Sequence, residues 1–265
     1  MEHIKQALEK ARQERQIRQG GESAPTQGRP RAETEATGIS QTQTITVDDA
    51  VLRENRIVTG LQPGPFTDAN NLLRTQVLQR FKENDWNVLA VTSPGEGEGK
   101  TLTAINLAIS IAREVDYTVL LVDANLRHPW MLEHLGMAHR KGLSDYLTDD
   151  TPIAELLIKP GRVEHLVILP GGRPLINSAE MLNSPKMAQL VKDMKSRYHS
   201  RIIIFDLPPV LSSADALAFS PYVDAALLVI EEGTTQKHEI EHAVELLSST
   251  NIIGTVLNKA EPKSA

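Results

Sequence analysis

The stretch Asn87–Ala112, NVLAVTSPGEGEGKTLTAINLAISIA, decides how this chain is read. Val88, Leu89, Ala90 and Val91 form a short unbroken apolar run, the pattern of a strand buried on both faces. Gly95, Gly97 and Gly99 punctuate the turn that follows, and Lys100 and Thr101 close it. Beyond them, Leu102, Ala104, Ile105, Leu107, Ala108, Ile109, Ile111 and Ala112 predict a helix that is apolar nearly all round. Strand, glycine loop, Lys-Thr and buried helix, in that order, form the context of a phosphate-binding P-loop. Glycines let several backbone N–H groups converge at a helix N-terminus, where an anion is favoured. Lys100 then reaches the β- and γ-phosphate oxygens, and the Thr101 hydroxyl holds Mg²⁺. Pro94 stands where the strict pattern G-x-x-x-x-G-K-[ST] has its first glycine. The competing reading, a Gly/Glu-rich surface turn, does not account for the two apolar flanks.

Working outward, apolar runs and helical periodicities alternate, which predicts a doubly wound, mainly parallel α/β sheet covered on both faces. Strands are expected at Val88–Thr92, Thr118–Asp123, Leu166–Leu169, Arg201–Asp206, Ala226–Ile230 and Ile252–Asn258. A helix is expected over Phe66–Glu83, where Leu72, Leu73, Val77, Leu78 and Phe81 recur at helical spacing. Ser184-Pro185 reads as an N-cap and N1 pair opening a helix to about Arg197, and Thr234–Ser249 reads as another.

Two of these strands end in carboxylates. Asp123 follows four apolar residues in VLLVDANLRHP, with Arg127 four positions on; Asp206 follows four more in RIIIFDLPPV, where Pro208-Pro209 stops the strand. In an open α/β sheet, ligands bind beyond the carboxyl ends of the strands, so both aspartates belong beside the P-loop. Carboxylates there hold Mg²⁺ directly or through water. Taken singly, an aspartate at a strand end is an ordinary turn residue; the pair downstream of a P-loop favours a metal site.

The remaining sequence sets bounds. The 265 residues suffice for a large core, and the formal net charge of −6 argues against a nucleic-acid protein. Cysteine is absent, so neither a disulfide nor a thiolate metal site can be drawn, and the eight histidines lack ligand spacing. No apolar run nears the roughly 20 residues that span a bilayer, and no signal peptide opens the chain. Met1–Gln19 is rich in helix formers, with Ile4, Ala7, Leu8 and Ala11 on one side; it reads equally as a solvated helix or as a docking helix. Gly20–Thr46 is polar and Gly/Pro-rich, the composition of a disordered linker, and Val47–Pro65 reads as a lead-in on the domain surface. The expected organisation is therefore an N-terminal helix and flexible linker over residues 1–63 and a P-loop domain over 64–265.

TSPGEGEGKT, LLVDANLR and IIIFDLPP, in this order and spacing, resemble the Walker A, Walker A′ and Walker B motifs of the bacterial tyrosine kinases. Those cytoplasmic kinases of capsule and exopolysaccharide synthesis belong to the deviant-Walker P-loop ATPases, with the partition and septum-positioning proteins. The resemblance spans roughly Gly64–Ala260, and GGRPLINSAEMLNSPKMAQLV resembles the family's stretch between Walker A′ and Walker B. Pro94 and Gly95 stand where partition ATPases carry an extra lysine, which favours the kinase branch.

The resemblance implies an ATP-dependent protein-tyrosine autokinase with Mg²⁺ as cofactor. It implies that Gly95, Glu96, Gly97, Glu98, Gly99, Lys100, Thr101 and Leu102 surround the phosphates. Thr101, Asp123 and Asp206 would serve the metal, Asp123 also acting on the tyrosine hydroxyl. Arg127 would neutralise phosphate charge and Asn258 would lie near the adenine. It further implies a homo-oligomer, and a membrane co-polymerase (chain-length regulator) that recruits the cytoplasmic chain to the inner face of the membrane. The sequence departs from the family at four places. Asn125 replaces the second acid of Walker A′, and Glu96 replaces a loop proline. Asp68, Asn71 and Arg74 stand for the Glu, Arg and Arg of the ring-packing helix. KAEPKSA follows Asn258 where a tyrosine cluster is usual, while Tyr117, Tyr146, Tyr198 and Tyr222 are scattered. These departures keep open a non-kinase ATPase that acts as an oligomerisation or localisation switch, and a nucleotide-bound scaffold.

Overall fold

The computed structural model describes residues 42–58, 64–161, 163–197 and 201–260. The expected helix at Met1–Gln19 and most of the expected linker lie outside them. Eight strands form one sheet: β1 Gln43–Ile45, β2 Val88–Thr92, β3 Thr118–Asp123, β4 Ile158–Pro160, β5 Leu166–Leu169, β6 Arg201–Asp206, β7 Ala225–Glu231 and β8 Asn251–Asn258. Their spatial order is β1-β4-β5-β3-β6-β2-β7-β8. Every pairing is parallel except β4 with β5.

The apolar runs are continuous because alternate residues enter different cores. Leu89, Val91, Val119, Leu121, Ile202, Ile204, Leu227 and Val229 face one side with the P-loop helix Lys100–Ala112 and with Val77 and Phe81. Val88, Ala90, Leu120, Val122, Ile203, Phe205, Ala226 and Leu228 face the other, against Met187, Leu190, Val191 and Leu247. A sheet covered on both faces leaves only its strand ends for ligands.

Helix Pro65–Asn84 spans the expected segment and ends at Asp85, which adopts a left-handed conformation (φ 56°). Its Val77 and Phe81 are buried, whereas Leu72 is 60% exposed. Arg74 on this helix pairs with Glu114 at 3.1 Å, tying the helix to the end of the P-loop helix. Helix Pro185–Arg197 begins as expected, with the Ser184 hydroxyl accepting from the Met187 N–H at 3.2 Å. The last helix is shorter than expected, Lys237–Leu246, because Thr234–Gln236 forms a turn instead. Thr235 Oγ1 accepts the Glu231 N–H there at 2.8 Å, a side-chain bond that competes with helix formation.

The start of the folded part differs from the expectation at Gly64. Gln43–Ile45 pairs with β4, and Asp48 caps a short helix, Asp49–Glu54, by accepting from the Ala50 N–H at 2.8 Å. Val47, Leu52, Ile57 and Val58 are buried in the core that contains the P-loop helix, so this segment is not a surface lead-in. Asn106, 1% exposed on that helix, accepts the Val58 N–H at 2.8 Å and donates to the Arg56 carbonyl at 3.1 Å. A distant asparagine thus supplies the partners that a polar, aperiodic stretch lacks on its own.

Candidate functional site

The loop between β2 and its helix turns on two left-handed glycines, Gly97 (φ 76°) and Gly99 (φ 91°), the latter capping the helix. At Gly99 a side chain is excluded twice over, because a Cβ there would lie 2.0 Å from Asn258 Nδ2. The first half of the loop is fastened to the segment after β6. The Val210 N–H donates to Ser93 O at 2.8 Å, and Thr92 Oγ1 donates to Pro208 O at 2.7 Å. Ser93 Oγ donates within the loop to Gly95 O at 2.6 Å. Pro94 is buried in this anchored half, so the absent first glycine does not open the turn.

The expected loop residues divide by side-chain direction. Glu96 is exposed, Leu102 packs against the core, and Glu98 is only 5% exposed. Glu98 Oε2 accepts the Gly95 N–H at 2.8 Å, and Glu98 Oε1 accepts the Thr235 hydroxyl. Asn258 Nδ2 donates to the Glu98 carbonyl at 2.8 Å, so this residue grips the loop backbone.

Asp123 and Asp206 are paired residues at the ends of β3 and β6, and both are 1% exposed. Asp206 Oδ2 accepts the Thr101 hydroxyl at 2.7 Å, joining the first turn of the P-loop helix to β6. Asp123 accepts from the Asn125 N–H at 3.2 Å and the Met131 N–H at 3.3 Å. Gly171, after β5, allows this approach: a Cβ there would lie 3.2 Å from the Asp123 carboxyl and 2.5 Å from Pro129. Burial pushes the Asp123 carboxyl well above the usual carboxylate range, and the Asp206 charge adds to the rise. Burial also raises Asp206, while Lys100 and the Thr101 hydroxyl pull it down. Lys100 is the cation of the site, its charge reaching both aspartates.

Asp206 Oδ1 and Asn125 Oδ1 are buried with no hydrogen-bond partner. An unpartnered oxygen on one of two buried carboxyl groups, and an unpartnered amide oxygen two residues from the other, suit a hard divalent cation. Among the described residues, no group of three or more His, Cys, Asp or Glu could enclose a metal by itself.

Arg127, four residues after Asp123, is held by a second pair of side chains. Its Nε donates to Ser178 Oγ at 3.1 Å and to Asp215 Oδ1 at 3.3 Å, and Asp215 is fully buried. Sequence reasoning missed Asp215, Ser178, Gly171 and Thr235. Gly171-Gly172 after an apolar run was the available signal for one of them; the others occupy ordinary polar positions.

The AAA domain family matches residues 86–258. The chain is 31% identical over 188 residues to the tyrosine-protein kinase YwqD of Bacillus subtilis (strain 168), covering 70% of this chain and 78% of that one. It is 30% identical over 225 residues to the succinoglycan biosynthesis transport protein ExoP of Rhizobium meliloti (strain 1021), 81% of this chain but 28% of ExoP. The kinase domain of the Escherichia coli tyrosine kinase ETK matches with a TM-score of 0.70 at 26% identity, covering 84% of this chain and 91% of that domain.

Proposed function

We propose, from the premise that this chain belongs to the bacterial tyrosine-kinase family of P-loop proteins, that it transfers the terminal phosphoryl group of Mg-ATP to a tyrosine hydroxyl. The setting proposed is capsule or exopolysaccharide synthesis and export, as the family and the name of ExoP suggest. The observation that carries the reading is the Thr101–Asp206 bond of 2.7 Å with Asp123 in register beside it. That arrangement sets a hydroxyl and two carboxylates at the mouth of a glycine loop.

In this reading the loop amides and Lys100 bind the phosphates, and Thr101, Asp206 and Asp123 serve the cation. Mg²⁺, when bound, neutralises charge on the phosphate oxygens. Asp123 orients the phenol and takes its proton as the tyrosine oxygen–phosphorus bond forms and the bond from phosphorus to ADP breaks. Lys100 and a bound cation would both favour the ionised carboxylate that this role needs. Arg127, anchored at Nε by Asp215 and Ser178, keeps its Nη groups for an anion. Asn258, with Nδ2 committed to the loop, keeps Oδ1 for the adenine amino group.

No described helix is long and apolar enough to cross a membrane. On the likeness to the succinoglycan transport protein ExoP, the proposal includes a membrane co-polymerase that activates the chain and recruits it to the cytoplasmic side of the membrane. It also includes self-association through helix Pro65–Asn84, where Phe66 and Leu72 are exposed by 46% and 60%. The test is mass spectrometry of the purified protein after incubation with Mg-ATP. Phosphotyrosine together with ADP supports the kinase; ADP without phosphotyrosine favours the ATPase switch.

A further inference from the structure

We propose that Glu98 is a positioning residue that sets the phosphate cradle from behind, acting through Thr235. The inference rests on reading the loop as a nucleotide phosphate site.

The hydrogen bonds run in one chain from β7 to the loop. The Glu231 N–H donates to Thr235 Oγ1 at 2.8 Å, so the single hydroxyl proton of Thr235 is directed onward to Glu98 Oε1. Glu98 Oε2 takes the Gly95 N–H at 2.8 Å. Glu98 thus uses both side-chain oxygens, one toward a backbone N–H and one toward a hydroxyl. A neutral amide of the same shape offers one oxygen in place of two, so one of these two bonds is lost or reversed. The main chain of the same residue is held separately, its carbonyl accepting Asn258 Nδ2 at 2.8 Å. Asn258 is itself fixed, because its own carbonyl accepts the Glu232 N–H at 3.0 Å.

Glu98 is thus gripped at its side chain by the turn after β7 and at its main chain by the end of β8. The next residues, Gly99 and Lys100, open the helix whose N–H groups face a phosphate. The side chain is buried and turned inward, so its contribution is to hold those amides in place, not to touch the ligand. A pre-set cradle binds phosphate without ordering its own loop first. The loop over Glu231–Gln236 and the cradle are consequently one coupled unit, and disturbance at Thr235 propagates to phosphate affinity.

The test is equilibrium binding of ADP to the full chain, with the apo melting temperature recorded for each variant. Glu98→Gln and Thr235→Val should each weaken ADP binding about tenfold. The double variant should be no weaker than either single one, because both remove the same link. Thr235→Ser, which keeps the hydroxyl, should bind like the parent. Parent-like ADP affinity in Glu98→Gln and Thr235→Val would overturn the inference, as would additive losses that track the melting temperatures. Lys100→Ala is the control: if it loses ADP while Glu98→Gln does not, only this inference fails. If Lys100→Ala also binds like the parent, the nucleotide reading itself fails.

Discussion

Asp123 and Asp206 end adjacent parallel strands in direct register, and both are buried at the centre of the sheet, where helices cover both faces. Neither carboxyl has a salt-bridge partner among the described residues; a hydroxyl and backbone amides are the groups that bond them. The fold therefore holds two acids where charge is expensive.

The first prediction follows from that cost. Asp123 holds its proton well above the usual carboxylate range, so folding favours the protonated form. The stability it contributes is complete at acid pH and is lost as pH rises from the unfolded value through the raised folded one. Without Mg²⁺, Asp123→Asn should raise the melting temperature at pH 7 and change it little near pH 3. Thermal melts in EDTA at both pH values check this, and an equal shift at both would contradict it.

The second concerns the segment before the P-loop domain. Asn106→Ala removes the partners of the Val58 N–H and the Arg56 carbonyl, so it should cost about 2–4 kcal/mol in denaturant unfolding. Asn106→Asp should also destabilise, because it keeps an acceptor for Val58 but loses the donor to Arg56. A loss below about 0.5 kcal/mol in both would mean that residues 42–58 are not held by this clamp.

These two sites differ in how far the sequence discloses them. Val88–Thr92, Thr118–Asp123 and Arg201–Asp206 are legible residue for residue, because strands buried on both faces are unbroken apolar runs ended by Thr or Asp. The rule that ligands bind beyond the carboxyl ends of parallel strands points to Asp123 and Asp206 near the loop, and the observed order β3-β6-β2 makes their strands neighbours of the loop's own. β1 and β4 are not legible, since three-residue strands have no period, and Gln43–Ile45 gains its place only by pairing with Ile158–Pro160. The support for Arg127 and Glu98 is hidden for a similar reason: Asp215 and Thr235 act across 88 and 137 residues of sequence.

The third prediction concerns Asn125, whose Oδ1 is buried without a partner beside Asp123. Asn125→Asp adds a charged oxygen ligand for a hard cation and should lower the Mg²⁺ concentration that half-saturates turnover by roughly tenfold. It should also lower the melting temperature without Mg²⁺, because a further buried carboxylate goes unpaired. ATPase rate against Mg²⁺ concentration decides it; an unchanged titration would show that this site does not need the second acid.

The measurement that bears most directly on the central claim is phosphotyrosine formation by the full chain in Mg-ATP. It should be followed on the chain itself and on an added tyrosine-containing peptide, with Lys100→Ala alongside. The parent should form phosphotyrosine and release ADP, and Lys100→Ala should lose about 10²–10³-fold in rate, the scale of removing one transition-state charge contact. ADP release by the parent with no phosphotyrosine on either acceptor would contradict the kinase reading, and parent-like turnover by Lys100→Ala would contradict the site itself.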